Sequence, residues 1–136
     1  MTKLKTVFFL IIFYLGFTLS YGQVYKFKTS GYSVSEKDTS NKWGQWSDLK
    51  GVTILTVLDT NKNRIVIYSE VIQLFDIIDY LPEKENETDL VYTFFCKDNN
   101  GEDCTLSINT RKNQNNRKQL YVNYDDRIIV YNIDNF

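Results

Sequence analysis

Histidine is absent from all 136 residues, and so is alanine; proline occurs once, at Pro82, and cysteine twice, at Cys96 and Cys104. Without histidine, Ser–His and Cys–His nucleophile pairs are excluded. The preferred ligand of most zinc and copper sites is missing as well. Without alanine the chain lacks the best helix former. Isoleucine, valine, tyrosine, phenylalanine and threonine are plentiful instead, and these residues suit strands.

The N-terminal residues read as a targeting segment and not as part of the fold. Met1–Thr6 carries Lys3 and Lys5 and no acid, and Val7–Leu19 runs uncharged as VFFLIIFYLGFTL. Ser20-Tyr21-Gly22 then places small residues three and one before a cut at Gly22/Gln23, which is the layout of a secretory signal peptide. The apolar run falls short of the roughly 20 residues of a membrane span; a retained anchor is the alternative. No cysteine stands at the cleavage point, so no lipid anchor is expected. Residues 1–22 are therefore read as a leader and 23–136 as a single β domain, exported to the periplasm or outside the cell. No later apolar run is long enough to span a membrane.

Loss of the leader removes two lysines and no acid, leaving 14 cations against 17 acids, a net charge of −3. That mild acidity offers no basic footprint for nucleic acid. A chain of this length can bury a core.

Strand patterns then follow one another. VYKFKTS (24–30) alternates, with Tyr25 and Phe27 on one side and Lys26 and Lys28 on the other, and GYSVS can continue it after a kink at Gly31. Further strands are expected at 42–49, 52–58, 64–69, 90–96, 104–110, 119–124 and 127–133, separated by turn residues. The segment 70–81 is ambiguous. Val71, Leu74, Phe75, Ile78 and Leu81 fall at helical spacing, with Ser69 placed to cap and Pro82 to stop a helix. Its β-branched and aromatic content and its strand neighbours favour a strand, with a helix as the alternative. About eight strands joined by turns indicate an antiparallel meander, closed into a small barrel or folded as a two-layer sandwich.

The stretch CKDNNGEDC holds both cysteines. Its Asp98-Asn99-Asn100-Gly101 resembles the start of a calcium loop. The EF-hand pattern, however, wants glycine sixth and glutamate twelfth, where this chain has Gly101 fourth and Asn109 twelfth. Seven residues separate the cysteines, so the C-x-x-C redox spacing is not met. Periodicity gives a better reading. Leu90, Tyr92, Phe94 and Cys96 share one strand face, as do Cys104, Leu106 and Ile108 on the next. If Asn99-Asn100-Gly101 is a three-residue hairpin loop with glycine left-handed, Cys96 lies opposite Cys104 and Phe94 opposite Leu106. Across a non-hydrogen-bonded pair the cysteines are near bridging distance, and a disulfide is expected. A two-residue Asn-Gly turn is the rival register, and it breaks the bridge.

Other features carry weaker functional readings. Trp43 and Trp46, joined by a bulge at Gly44, can form an aromatic platform, although aromatics are first of all core material. With Tyr92, Phe94, Tyr121 and Tyr131 they make the candidate set for an apolar ligand. Arg111, Lys112, Arg117 and Lys118 bracket the amide-rich loop RKNQNNRK and can grip an anionic partner such as a surface glycan. Asp125/Asp126 is read as a turn, so no catalytic residues, cofactor or metal are assigned.

In style, with much Asn, Lys and Ile behind a leader, the chain resembles small exported proteins of AT-rich Gram-negative bacteria. In architecture it resembles the calycin-type barrel. The lipocalin Gly-x-Trp signature near the first strand is read as unmatched, since the chain runs Trp43-Gly44-Gln45-Trp46. The expected function is a non-catalytic module for an apolar or amphipathic small ligand. A protein- or glycan-interacting surface module with a filled core is the alternative.

Overall fold

The computed structural model describes residues 22–136; the leader expected over 1–22 lies outside the described residues apart from Gly22. Nine strands form one antiparallel sheet: β1 Val24–Glu36, β2 Lys50–Asp59, β3 Arg64–Ile67, β4 Gln73–Tyr80, β5 Lys84–Glu85, β6 Asp89–Asp98, β7 Asp103–Arg111, β8 Arg117–Asn123 and β9 Arg127–Asn135. Each strand pairs with the next except β4 with β5, which both pair with β6, and β1 pairs with β9. The result is a closed eight-stranded up-and-down barrel with the two-residue β5 as an extra strand. The described residues contain no helix.

β4 and β5 are one interrupted strand lying along β6. Tyr80 is opposite Phe94, Leu81 N–H still donates to Thr93 O at 3.0 Å, and Lys84 is opposite Val91. Pro82 has no N–H to continue the ladder, and its ring explains the break between them.

An eight-stranded barrel leaves an interior that side chains can fill, and here the middle is filled. Ile65, Ile67, Phe75, Leu106, Leu120, Val122 and Ile133 point inward and are fully buried, each worth about 1.5–3 kcal/mol of apolar transfer. Thr29 and Thr56 meet among them, their hydroxyls 3.4 Å apart.

Two bulges set which residues face in. On β1 the register shifts between Thr29 and Gly31, so inward positions change from Phe27 and Thr29 to Tyr32 and Val34, opposite Tyr131 and Ile129. On β4 the shift lies between Ile77 and Asp79. Phe75 and Ile77 are buried while Ile78 is exposed. That extra residue breaks the period of two and produces the helix-like spacing of 70–81; the segment is a strand.

Three expectations need correction. The strand expected at 42–49 is a loop: it makes one isolated bridge, Lys37 to Trp43, and is tied to β1 by single hydrogen bonds from Gly44 and Ser47 instead of a continuous ladder. β1 runs on to Glu36 and pairs with β9, so the chain turns at Asn41 (φ 62°) and returns along the edge of β1 without a partner on its other side. The loop expected at 111–118 is shorter, because Arg111 ends β7 and Arg117 opens β8 directly opposite it.

The third correction is the disulfide. The hairpin register is as expected, with Cys96 opposite Cys104, Phe94 opposite Leu106 and Gly101 left-handed at φ 78°. Both cysteines are nevertheless free and buried. Asp98 N–H donates to Glu102 O at 3.0 Å, which makes that a hydrogen-bonded pair. By alternation Cys96/Cys104 is hydrogen-bonded too, and not the closer type of pair. Side chains there stand at the wide end of the cross-strand range, about 5.5 Å between Cβ atoms, against the roughly 3.5–4.5 Å that a disulfide requires. The thiols serve as small core hydrophobes.

Candidate functional site

The two ends of the barrel differ. One is plugged by polar groups from neighbouring turns. Tyr124 O–H donates to Asp98 Oδ2 at 2.8 Å, and Asp98 Oδ1 accepts the N–H groups of Asn100 and Glu102, each at 2.9 Å. Burial pushes the Asp98 carboxyl up. The Glu102 N–H, the Tyr124 hydroxyl, the Asn100 N–H and the charge of Arg127 outweigh it and hold the carboxyl below its ordinary value. Arg127 stacks over Tyr124 at 3.8 Å and pairs with Glu102 at 3.2 Å.

The other end is open. Inward positions at the strand ends line an apolar cup of about 430 Å3. Its floor is Phe27, Leu58, Phe94 and Ile108, and Tyr25, Tyr80 and Tyr92 stand around its rim. Tyr80 meets Phe94 edge-on at 5.7 Å and donates its hydroxyl to Asn63 at 2.7 Å, which fixes that ring in place. Beside the cup lies a wider and more polar vestibule of about 570 Å3, reached by Asn115, Asn116 and Asp134. Tyr92, Thr110, Lys118 and Asn135 line both spaces. Asn115 and Asn116 adopt left-handed backbone at φ 55° and 57°, as the tight β7–β8 connection demands.

Lys118 stands at the junction. The β7–β8 register sets it opposite Thr110, an inward position, while Arg111 and Arg117 one residue on face outward. It takes part in none of the ion pairs among the described residues. An apolar recess with one ammonium at its edge suits an amphipathic molecule.

The sequence-derived candidates scatter over the barrel. Tyr92 and Phe94 meet at the cup, as rim and floor. Tyr131 is buried in the core, accepting a hydrogen bond from Gln73 at 3.1 Å. Trp43 lies in the loop under Lys37, whose Nζ is 5.1 Å from the ring centre. Trp46 and Tyr121 line a groove on the outer wall. The tripeptide Gly44-Gln45-Trp46 does spell Gly-x-Trp, a correction to the sequence reading. It falls in the loop after β1 and sends Trp46 to that outer wall, not into the barrel.

The four basic residues do not form one patch. Arg111 and Arg117 lie opposite each other on the outer wall, where Arg111 pairs with Asp89 at 3.5 Å and donates to the Tyr121 hydroxyl at 3.3 Å and Arg117 bonds Asn132 at 3.3 Å; Lys112 is 2.9 Å from Glu85, and Lys118 turns inward. Alternation along β8 separates Arg117 from Lys118. The sequence reading missed Tyr25, Phe27, Leu58, Tyr80 and Ile108 as cup residues. Inward parity was readable except at Tyr80, which the bulge on β4 turns inward; their placement at one open end depends on closure of the barrel.

Comparison with known proteins adds no relative: no family model matches the chain, no curated protein matches it, and no solved structure matches it.

Proposed function

We propose that this protein is an exported, non-catalytic binding module for a small amphipathic molecule with an acidic head. The observation that carries the reading is the continuity of the apolar cup with the polar vestibule, and the position of Lys118 between them. A hydrocarbon tail in the cup covers Phe27, Leu58, Phe94 and Ile108. The head then lies beside the Lys118 ammonium, with the Thr110 hydroxyl and Asn116 amide as further polar partners. The cup volume falls within the range of roughly 300–1,000 Å3 common to small-molecule sites. The leader-like N-terminus supports export. The absence of histidine favours binding over acid–base chemistry.

Titration with decanoate and with decanol, followed by calorimetry, tests the reading. Decanoate is expected to bind more tightly than decanol. Lys118→Gln should remove that preference while leaving decanol binding intact, and Leu58→Trp, which fills the cup, should abolish both. Unchanged decanoate binding by a folded Leu58→Trp protein sinks the proposal.

A further inference from the structure

We propose that the outer wall of the barrel beneath Trp46 is a second binding site, one that takes an acidic saccharide. The site is separate from the cup, since it uses the outward-facing residues of β1, β8 and β9. Trp46 is held over this wall by the loop that returns along β1. Gly44 N–H donates to Glu36 O at 2.8 Å, and Ser47 N–H donates to Val34 O at 2.8 Å. Ser47 Oγ in turn accepts the Val34 N–H, also at 2.8 Å. With the backbone fixed on both flanks, Trp46 is presented over the wall while 50% exposed. An exposed aromatic held rigidly offers contact area at little ordering cost.

The surface under the indole is a concavity of about 370 Å3. Apart from Ser33, its polar members are planar groups in one network, into which Arg111, already paired with Asp89, also donates at the Tyr121 hydroxyl. Gln119 Nε2 donates to Asn132 Oδ1 at 3.2 Å, Arg117 Nη2 donates to the same oxygen at 3.3 Å, and Tyr121 O–H donates to Gln119 Oε1 at 3.3 Å. Cross-strand register puts Gln119 opposite Asn132, with Tyr121 opposite Val130 in a parallel row. The wall therefore presents an aromatic face beside amides and a guanidinium.

A pyranose ring has the complementary chemistry. One face carries C–H groups that pack on an indole or phenol ring, and its hydroxyls donate and accept at the edges, where amides can do both. A purely apolar ligand leaves this network desolvated without partners, which is costly. The charge of the ligand follows from Arg117. That guanidinium bonds only neutral oxygens, from Asn132 and Gln114, and makes no ion pair among the described residues. A guanidinium fork matches a carboxylate in two bonds. A uronate-bearing sugar supplies that carboxylate together with the ring face and hydroxyls.

The probe is trigalacturonate, with neutral galactotriose as the comparison. Trp43→Phe leaves Trp46 as the one tryptophan, so emission reports the groove directly. Saturable change in emission is expected with trigalacturonate, at an affinity about tenfold or more above galactotriose, equal to 1.4 kcal/mol or more. Arg117→Gln should bring the acidic sugar down to the neutral level, with the thermal midpoint retained. Gln119→Leu should weaken both sugars, and none of these changes should alter decanoate binding. The proposal is overturned if neither sugar gives saturable change at millimolar concentration. It is overturned equally if the two bind alike, or if Arg117→Gln leaves the acidic preference intact.

Discussion

The hydroxyl of Tyr124 donates to Asp98 Oδ2 at 2.8 Å, joining two turns that are 26 residues apart across the closed end of the barrel. Asp98 also ties down its own hairpin through the Asn100 and Glu102 N–H groups. One carboxylate thus fixes the turn after β6 and anchors the residue that follows β8. Its position ties the turns at this end to one another.

Acid should therefore loosen this end. In the fold, the donors from Glu102, Tyr124 and Asn100 outweigh burial and hold the Asp98 pKa below its ordinary 3.8. A depressed carboxyl contributes stability that is present above the unfolded value and lost as pH falls through the folded one. Asp98→Asn should lower stability near neutrality by about 1.5–3 kcal/mol, the scale of a hydrogen bond to a charged group. The gap between the native protein and the variant should close as pH drops from about 5 to about 2. Thermal denaturation across that range checks it. A gap that stays constant means the charge of Asp98 contributes nothing.

Alkali should act on the cysteines. Burial is the main cause that pushes the Cys96 thiol from 9.0 up to about 12 and Cys104 up to about 11, with each also facing nearby negative charge. A raised pKa contributes stability that is complete below the unfolded value and lost as pH rises through the folded value. The window here is pH 9 to about 12. Cys96→Ala should cost about 1 kcal/mol at neutral pH through a small cavity. It should also flatten the fall in stability above pH 9. Near neutral pH, iodoacetamide should leave both thiols of the folded protein unmodified and should label two after denaturation. Finding a bonded pair in the purified protein contradicts the free-thiol arrangement.

How far the sequence led can be judged from particular residues. The Asn99-Asn100-Gly101 turn was legible because a left-handed position favours glycine and because the apolar faces on either side admit one parity. The pairing of Cys96 with Cys104 follows from that turn. The bond between them does not, since bonding depends on whether the pair exchanges backbone hydrogen bonds, and the expectation assumed the other type. The bulges at Ser30 and Ile78 left only a Gly31 kink and a false helical period as signals. Tyr92 and Phe94 were readable as inward aromatics. Their meeting with Tyr25, Tyr80 and Lys118 was not, because it requires β1 to close on β9 and β4 to close on β6. The outer wall was hidden for a similar reason: Trp46 joins Tyr121 only through a loop that the sequence presented as a strand.

The threonine pair inside the barrel offers the last prediction. Thr29 and Thr56 are 0% and 2% exposed, and their Oγ1 atoms are 3.4 Å apart in an otherwise apolar layer. Thr29→Val leaves the Thr56 hydroxyl without its side-chain partner, and Thr56→Val does the same to Thr29. Each single change should cost about 1–3 kcal/mol, the desolvation of an orphaned hydroxyl. The double valine removes both polar groups at nearly unchanged volume, so its stability should return to within about 1 kcal/mol of the native protein. Urea denaturation of the four proteins completes the cycle. Strictly additive losses would show that the hydroxyls do not depend on one another. Recovery in the double variant would show that the pair is tolerated in the core because each hydroxyl satisfies the other.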